Sequence, residues 1–105
     1  MGVLAAGLLA VGMGTTASAL YYKGSQYGST IHTSGTIISL TDSYGDNKFP
    51  AVNYKYAGGT KQGGFSNKNG YGTTVTAYAS STITAIQPCI SRPAPLPLNC
   101  SNWIY

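Results

Sequence analysis

Beyond Ala19 the sequence nowhere sustains the 3.6-residue apolar repeat of a helix, and that absence narrows the fold more than any other feature. Apolar and polar residues alternate instead in short runs. Val52, Tyr54 and Tyr56 alternate with Asn53 and Lys55, which predicts a half-buried strand stopping at Gly58-Gly59. Thr73 to Tyr78 sets Val75 and Ala77 on one face and Thr74, Thr76 and Tyr78 on the other. Thr36 to Leu40 and the β-branched run from Thr82 to Gln87 add two strands, the latter expected to end at Pro88, which cannot donate to a central ladder. Thr30 to Thr33 and Tyr21-Tyr22 read as weaker strands.

Turn residues punctuate these runs. Gly45-Asp46-Asn47, Gly58-Gly59, Gly63-Gly64 and Asn69-Gly70 each tolerate positive φ. Asn69-Gly70 suits a tight hairpin between Phe65 and Val75. Many short strands with glycine-rich turns imply an all-β fold, a small antiparallel β-sandwich or Greek-key-like barrel.

The first nineteen residues differ from the rest. An uncharged apolar run from Val3 to Val11 leads through small residues to Ala17-Ser18-Ala19. This is the pattern of a secretory signal peptide with an A-x-A cleavage site, although the usual basic start is missing. A membrane span is not expected, because a spanning helix needs about 20 apolar residues and this run is interrupted by Gly12 and Gly14. The chain therefore divides into a signal peptide (1–19), a flexible or edge-strand lead-in (20–29) and a single β domain (30–105). The expected location is extracellular.

A domain this small buries a limited share of its surface and benefits from a staple. Cys89 and Cys100 are the only cysteines, and outside the cytoplasm they are expected to pair. Closing so short a loop stabilises by about 3 kcal/mol in the chain-entropy picture. Between them, Pro93, Pro95 and Pro97 alternate with Ala94 and Leu96, which predicts an extended, polyproline-like loop. Trp103 is expected to pack over the bridge.

Catalytic chemistry is sparse. There is no glutamate, Asp42 and Asp46 are the only acids and fall in one expected turn, and His32 is the only histidine. No nucleophile elbow, phosphate loop or EF-hand loop occurs, so no enzyme and no cofactor are expected. A βγ-crystallin calcium motif matches only at Asp46-Asn47, with Pro50 and Ala51 where its hydroxyl residues belong; no metal is expected either.

What remains is recognition chemistry: nine tyrosines, six Lys/Arg against two Asp and a formal net charge of +4. A domain this small cannot bury nine tyrosines, and exposed ones serve interfaces at modest entropic cost. The residues singled out for interaction are Tyr54, Tyr56, Tyr71, Tyr78, Arg92 and Trp103. Together with a free N-terminal strand they suggest a secreted, non-enzymatic interaction module, for instance an adaptor, whose partner is another secreted or cell-surface protein. Anionic cell-envelope polymers are a second partner class through the basic surface. Nucleic acid is not expected outside the cell. Two alternatives are a cationic, bacteriocin-like antibacterial protein and a secreted protease inhibitor presenting Arg92 on the disulfide loop.

Asp42-Ser43 with Gly45-Asp46, the Tyr54/Tyr56 strand, Asn67-Lys68-Asn69-Gly70-Tyr71-Gly72-Thr73-Thr74-Val75, Ile83 to Cys89, and the Cys100-Ser101-Asn102-Trp103 end together resemble a group of small secreted actinobacterial proteins. Those carry a similar N-K-x-G-x-G-T-T-V stretch, an I-x-x-C strand and a C-S-x-W end. The resemblance implies compartment, disulfide and a β-fold, but no reaction. More distantly, the layout looks like the βγ-crystallin-like metalloproteinase inhibitors of the same bacteria, whose cysteine-rich start this chain lacks.

Overall fold

Eight strands and no helix form within residues 19–105, the part of the chain that the computed structural model describes. The expected signal peptide therefore lies, but for Ala19, outside the described residues. In chain order the strands are β1 (Tyr21–Gly24), β2 (Ser29–Ser34), β3 (Ile37–Asp42), β4 (Pro50–Tyr56), β5 (Lys61–Ser66), β6 (Thr74–Tyr78), β7 (Ala85–Ile90) and β8 (Asn99–Cys100). They build two antiparallel sheets, ordered β1-β2-β3-β6 and β5-β4-β7-β8. Both sheets stay open at their edges, so the fold is a sandwich and not a barrel.

The alternation in the sequence sets the inner faces. Ile31, Ile38 and Leu40 from the first sheet meet Val52 and Ile86 from the second, with Ile83 entering from the segment before β7; each is at most 1% exposed. Burying each such side chain contributes about 1.5–3 kcal/mol, the main favourable contribution in so small a domain. Leu20, Tyr22, Phe65 and Ile104 pack around this cluster.

Four local expectations are corrected. Pro88 lies inside β7, opposite Val52, and does not end the strand. Its carbonyl accepts the Ser101 N–H at 2.9 Å, so its nitrogen also faces that side, away from β4, and no bond to β4 is lost. Gly63-Gly64 makes no turn but sits within β5, where Gly63 opposes Tyr54. A Cβ at Gly63 would stand 2.6 Å from the Tyr54 ring, so the ring covers backbone that only glycine leaves bare. Asn69-Gly70 does not close a hairpin, because Phe65 and Val75 belong to different sheets and the segment crosses between them. Finally, the N-terminal strand is not free: β1 pairs with β2 through four residues in register, and Leu20 exchanges bonds with Thr33.

The Cys89–Cys100 disulfide is formed, with 4.0 Å between Cα atoms across β7 and β8. A disulfide in a small all-β domain is consistent with an extracellular location.

Candidate interaction surface

Three connections meet at one end of the sandwich, and each is fixed by its own polar contacts. The β3–β4 connection begins at Asp42, which closes β3 and does not lie in the turn where it was expected; its side chain is only 3% exposed. Desolvation raises the Asp42 pKa, and nearby Asp46 adds to this, while the Tyr44 N–H donated to its carboxylate opposes it. Asp46 turns the loop by accepting the Lys48 N–H at 3.1 Å, and Asn47 supplies the left-handed residue at φ 58°. The other Asp46 oxygen lies 3.0 Å from where a Cβ at Gly28 would stand, over the β1–β2 turn. At the loop's far end Phe49 donates its N–H to Ser91 Oγ at 2.9 Å and accepts from the Ser91 N–H at 3.0 Å.

The β5–β6 connection hangs on Asn67, fully buried and fully bonded. Its amide nitrogen donates to the carbonyls of Leu40 and Thr73, and its oxygen accepts from the Asn69 N–H and the Thr73 hydroxyl. Gly70 and Gly72 adopt φ of 108° and 87° to let the chain return, with the Gly72 N–H on the Asp42 carbonyl. That path sets the exposed Tyr71 ring beside Gly45. Asn67 was not singled out from sequence for any role. Its signal is the Asn-x-x-Gly-x-Gly-Thr spacing, which reads afterwards as one buried clamp with two positive-φ positions.

The β7–β8 connection is not the extended segment expected. Leu96 N–H donates to the Pro93 carbonyl, and Arg92 Nε donates to the Pro97 carbonyl at 2.8 Å, folding the loop onto itself.

Two clefts flank the shared Asp46-Asn47-Lys48 segment. One, of about 420 Å³, lies between Phe49 and Arg92; the other, of about 230 Å³, is lined by Tyr71 and Tyr44. The Lys68 ammonium stands 4.8 Å from the centre of the Phe49 ring. Lys48, Phe49 and Arg92 thus line one cleft while Lys68 covers the Phe49 ring, and Lys48, Lys68, Phe49 and Ser91 join a site from which sequence reading had singled out only Tyr71 and Arg92. A cation stabilises an aromatic face by about 0.5–1 kcal/mol at an exposed site.

The other singled-out residues lie elsewhere. Tyr54 and Tyr56 share the inner face of β4, Tyr54 packed against the core, their rings 5.9 Å apart. Tyr78 sits on the outer face at the end of β6. Trp103 lies under Lys55, whose Nζ stands 4.4 Å from the centre of its ring and bonds the Tyr105 hydroxyl at 3.0 Å. The six residues therefore do not form one patch.

His32 is exposed on the outer face of β2, edge-on to Tyr21, whereas Asp42 points inward, so strand alternation separates the two residues that a hydrolytic set would need. Among the described residues no three His, Cys, Asp or Glu side chains converge on a metal position. No protein-family model, curated protein or solved structure matches this chain.

Proposed function

We propose that the chain is a non-enzymatic interaction module working outside the cytoplasm, and that it recognises another secreted or cell-surface protein through the end formed by Phe49, Tyr71, Lys48, Lys68 and Arg92. The observation that carries this reading is Phe49, whose backbone is bonded on both sides to Ser91 and whose ring lies under the Lys68 ammonium, with Arg92 lining the same cleft. Tyr and Arg anchors carry much of the energy of protein interfaces, Phe is enriched there, and loops already pinned lose little entropy on binding. Three gathered cations favour an acidic patch on the partner and speed the encounter.

The inhibitor alternative loses support from Arg92, whose Nε is already bonded within its own loop and not extended for a protease pocket. Anionic envelope polymers share the charge preference and are distinguished by experiment.

The test is co-purification of the tagged full-length protein from culture supernatant. One protein partner is expected, retained by the wild type and lost from a K48A/R92A variant that still carries its disulfide. Recovery of the chain alone, or retention of polymer but no protein, overturns the proposal.

A further inference from the structure

We infer that β6 is a self-pairing edge through which two copies of this chain join their first sheets into one eight-stranded sheet. Four strands lie at sheet edges, and three are guarded as edge strands commonly are. β1 spans four residues and carries Lys23; β5 starts at Lys61 and contains Gly63-Gly64; β8 has only two residues. β6 differs. Thr74-Val75-Thr76-Ala77-Tyr78 holds no charge, proline or glycine, and among the described residues nothing pairs with its outer side.

Its backbone is oriented for pairing. The Thr73 carbonyl accepts from Asp42 N–H at 3.0 Å and the Ala79 N–H donates to Thr36 at 2.8 Å, so residues 73 and 79 turn toward β3. Alternation along an antiparallel strand then turns Val75 and Ala77 the same way, and leaves the N–H and C=O of Thr74, Thr76 and Tyr78 facing out.

A two-fold axis at Thr76 satisfies all of these groups at once. Thr76 opposes its own copy, Thr74 opposes Tyr78, and each such pair exchanges both backbone bonds. Val75 meets Ala77 on the inner face, and Tyr78 lies across Thr74 on the outer one. A shift of one residue would swap the faces, and a shift of two would leave one end unpaired. A residue on a two-fold axis meets itself, so charge there is excluded. In a chain of net charge +4, the one edge strand of more than two residues without charge is the one that fits a second copy. Pairing of a single short strand is a small interface, so assembly depends on concentration.

The full-length protein is studied by sedimentation over a concentration series, as wild type, T76K and T76C, with S39C as a control one strand inward on the same face. The wild type is expected to move from one to two chains per particle, and T76K to weaken dimerisation by about tenfold or more, since like charges then face each other. Oxidised T76C is expected to form a covalent dimer whose peptide map shows a 76–76 link, because paired Cα atoms about 5.5 Å apart suit a disulfide. Circular dichroism confirms that each variant is folded. A wild type of one chain at every concentration, a dimer indifferent to T76K, or 76–76 linkage no faster than linkage of S39C overturns the inference.

Discussion

Ser29 and Asp42 stand opposite each other across β2 and β3, both on the buried side of the sheet, and among the described residues the Ser29 hydroxyl has no hydrogen-bond partner. A buried hydroxyl without a partner costs its desolvation and returns nothing. Ser29→Ala is therefore expected to raise stability by about 1 kcal/mol, read as a higher urea midpoint at unchanged slope. A loss of stability would show that the hydroxyl is bonded in solution.

Asp42 makes a pH prediction with a definite sign. Its pKa is raised in the fold, chiefly by burial, so the folded protein holds the proton more tightly than the unfolded chain. Stability is then highest below the ordinary carboxylate range and falls as pH rises toward the raised value. Asp42→Asn keeps an acceptor for Tyr44 N–H without the charge. The variant is expected to be more stable than wild type at neutral pH, with the gap closing on acidification. Thermal melts of both proteins from pH 3 to 7 check this, and a gap that widens toward acid contradicts it.

Asn67 holds together β3 and the β5–β6 crossing with both ends of its amide. Asn67→Ala would leave the Leu40 and Thr73 carbonyls and the Asn69 N–H without this partner. A cost of about 2–4 kcal/mol is expected in chemical denaturation. Asn67→Asp should cost more, since the carboxylate faces two carbonyls that the amide nitrogen served.

The disulfide makes a further prediction. Replacing both Cys89 and Cys100 by alanine should lower stability by about 3 kcal/mol, while β4 and β7 stay paired. The loop end should soften with it, because Ser91, which anchors Phe49, lies two residues after Cys89. Amide exchange at Phe49 that is unchanged in the double variant would separate the bridge from the site.

Much of the sandwich was legible wherever local pattern decided the outcome. The alternation of Val52, Tyr54 and Tyr56 placed β4, the Val75/Ala77 face placed β6, and Gly58-Gly59 takes the positive φ its turn requires. Errors arose where a distant strand decided. Pro88 is tolerated in β7 because its nitrogen faces away from β4, and Gly63 is a strand residue because the Tyr54 ring lies over it. Neither partner is adjacent in sequence. The candidate site was legible only in fragments for the same reason. Tyr71 and Arg92 were visible as exposed recognition residues, but their neighbours Phe49, Lys68 and Ser91 come from three connections that only the packed sheets bring together.

The Phe49 end is proposed as the place where this protein meets its partner. The most direct measurement places the photo-reactive p-benzoyl-phenylalanine at Phe49, and separately at exposed Gln62 on β5, in the full-length protein irradiated in its native culture. One discrete adduct with a second protein from position 49, and none from position 62, is the result expected. No adduct from position 49, or the same adducts from both, contradicts it.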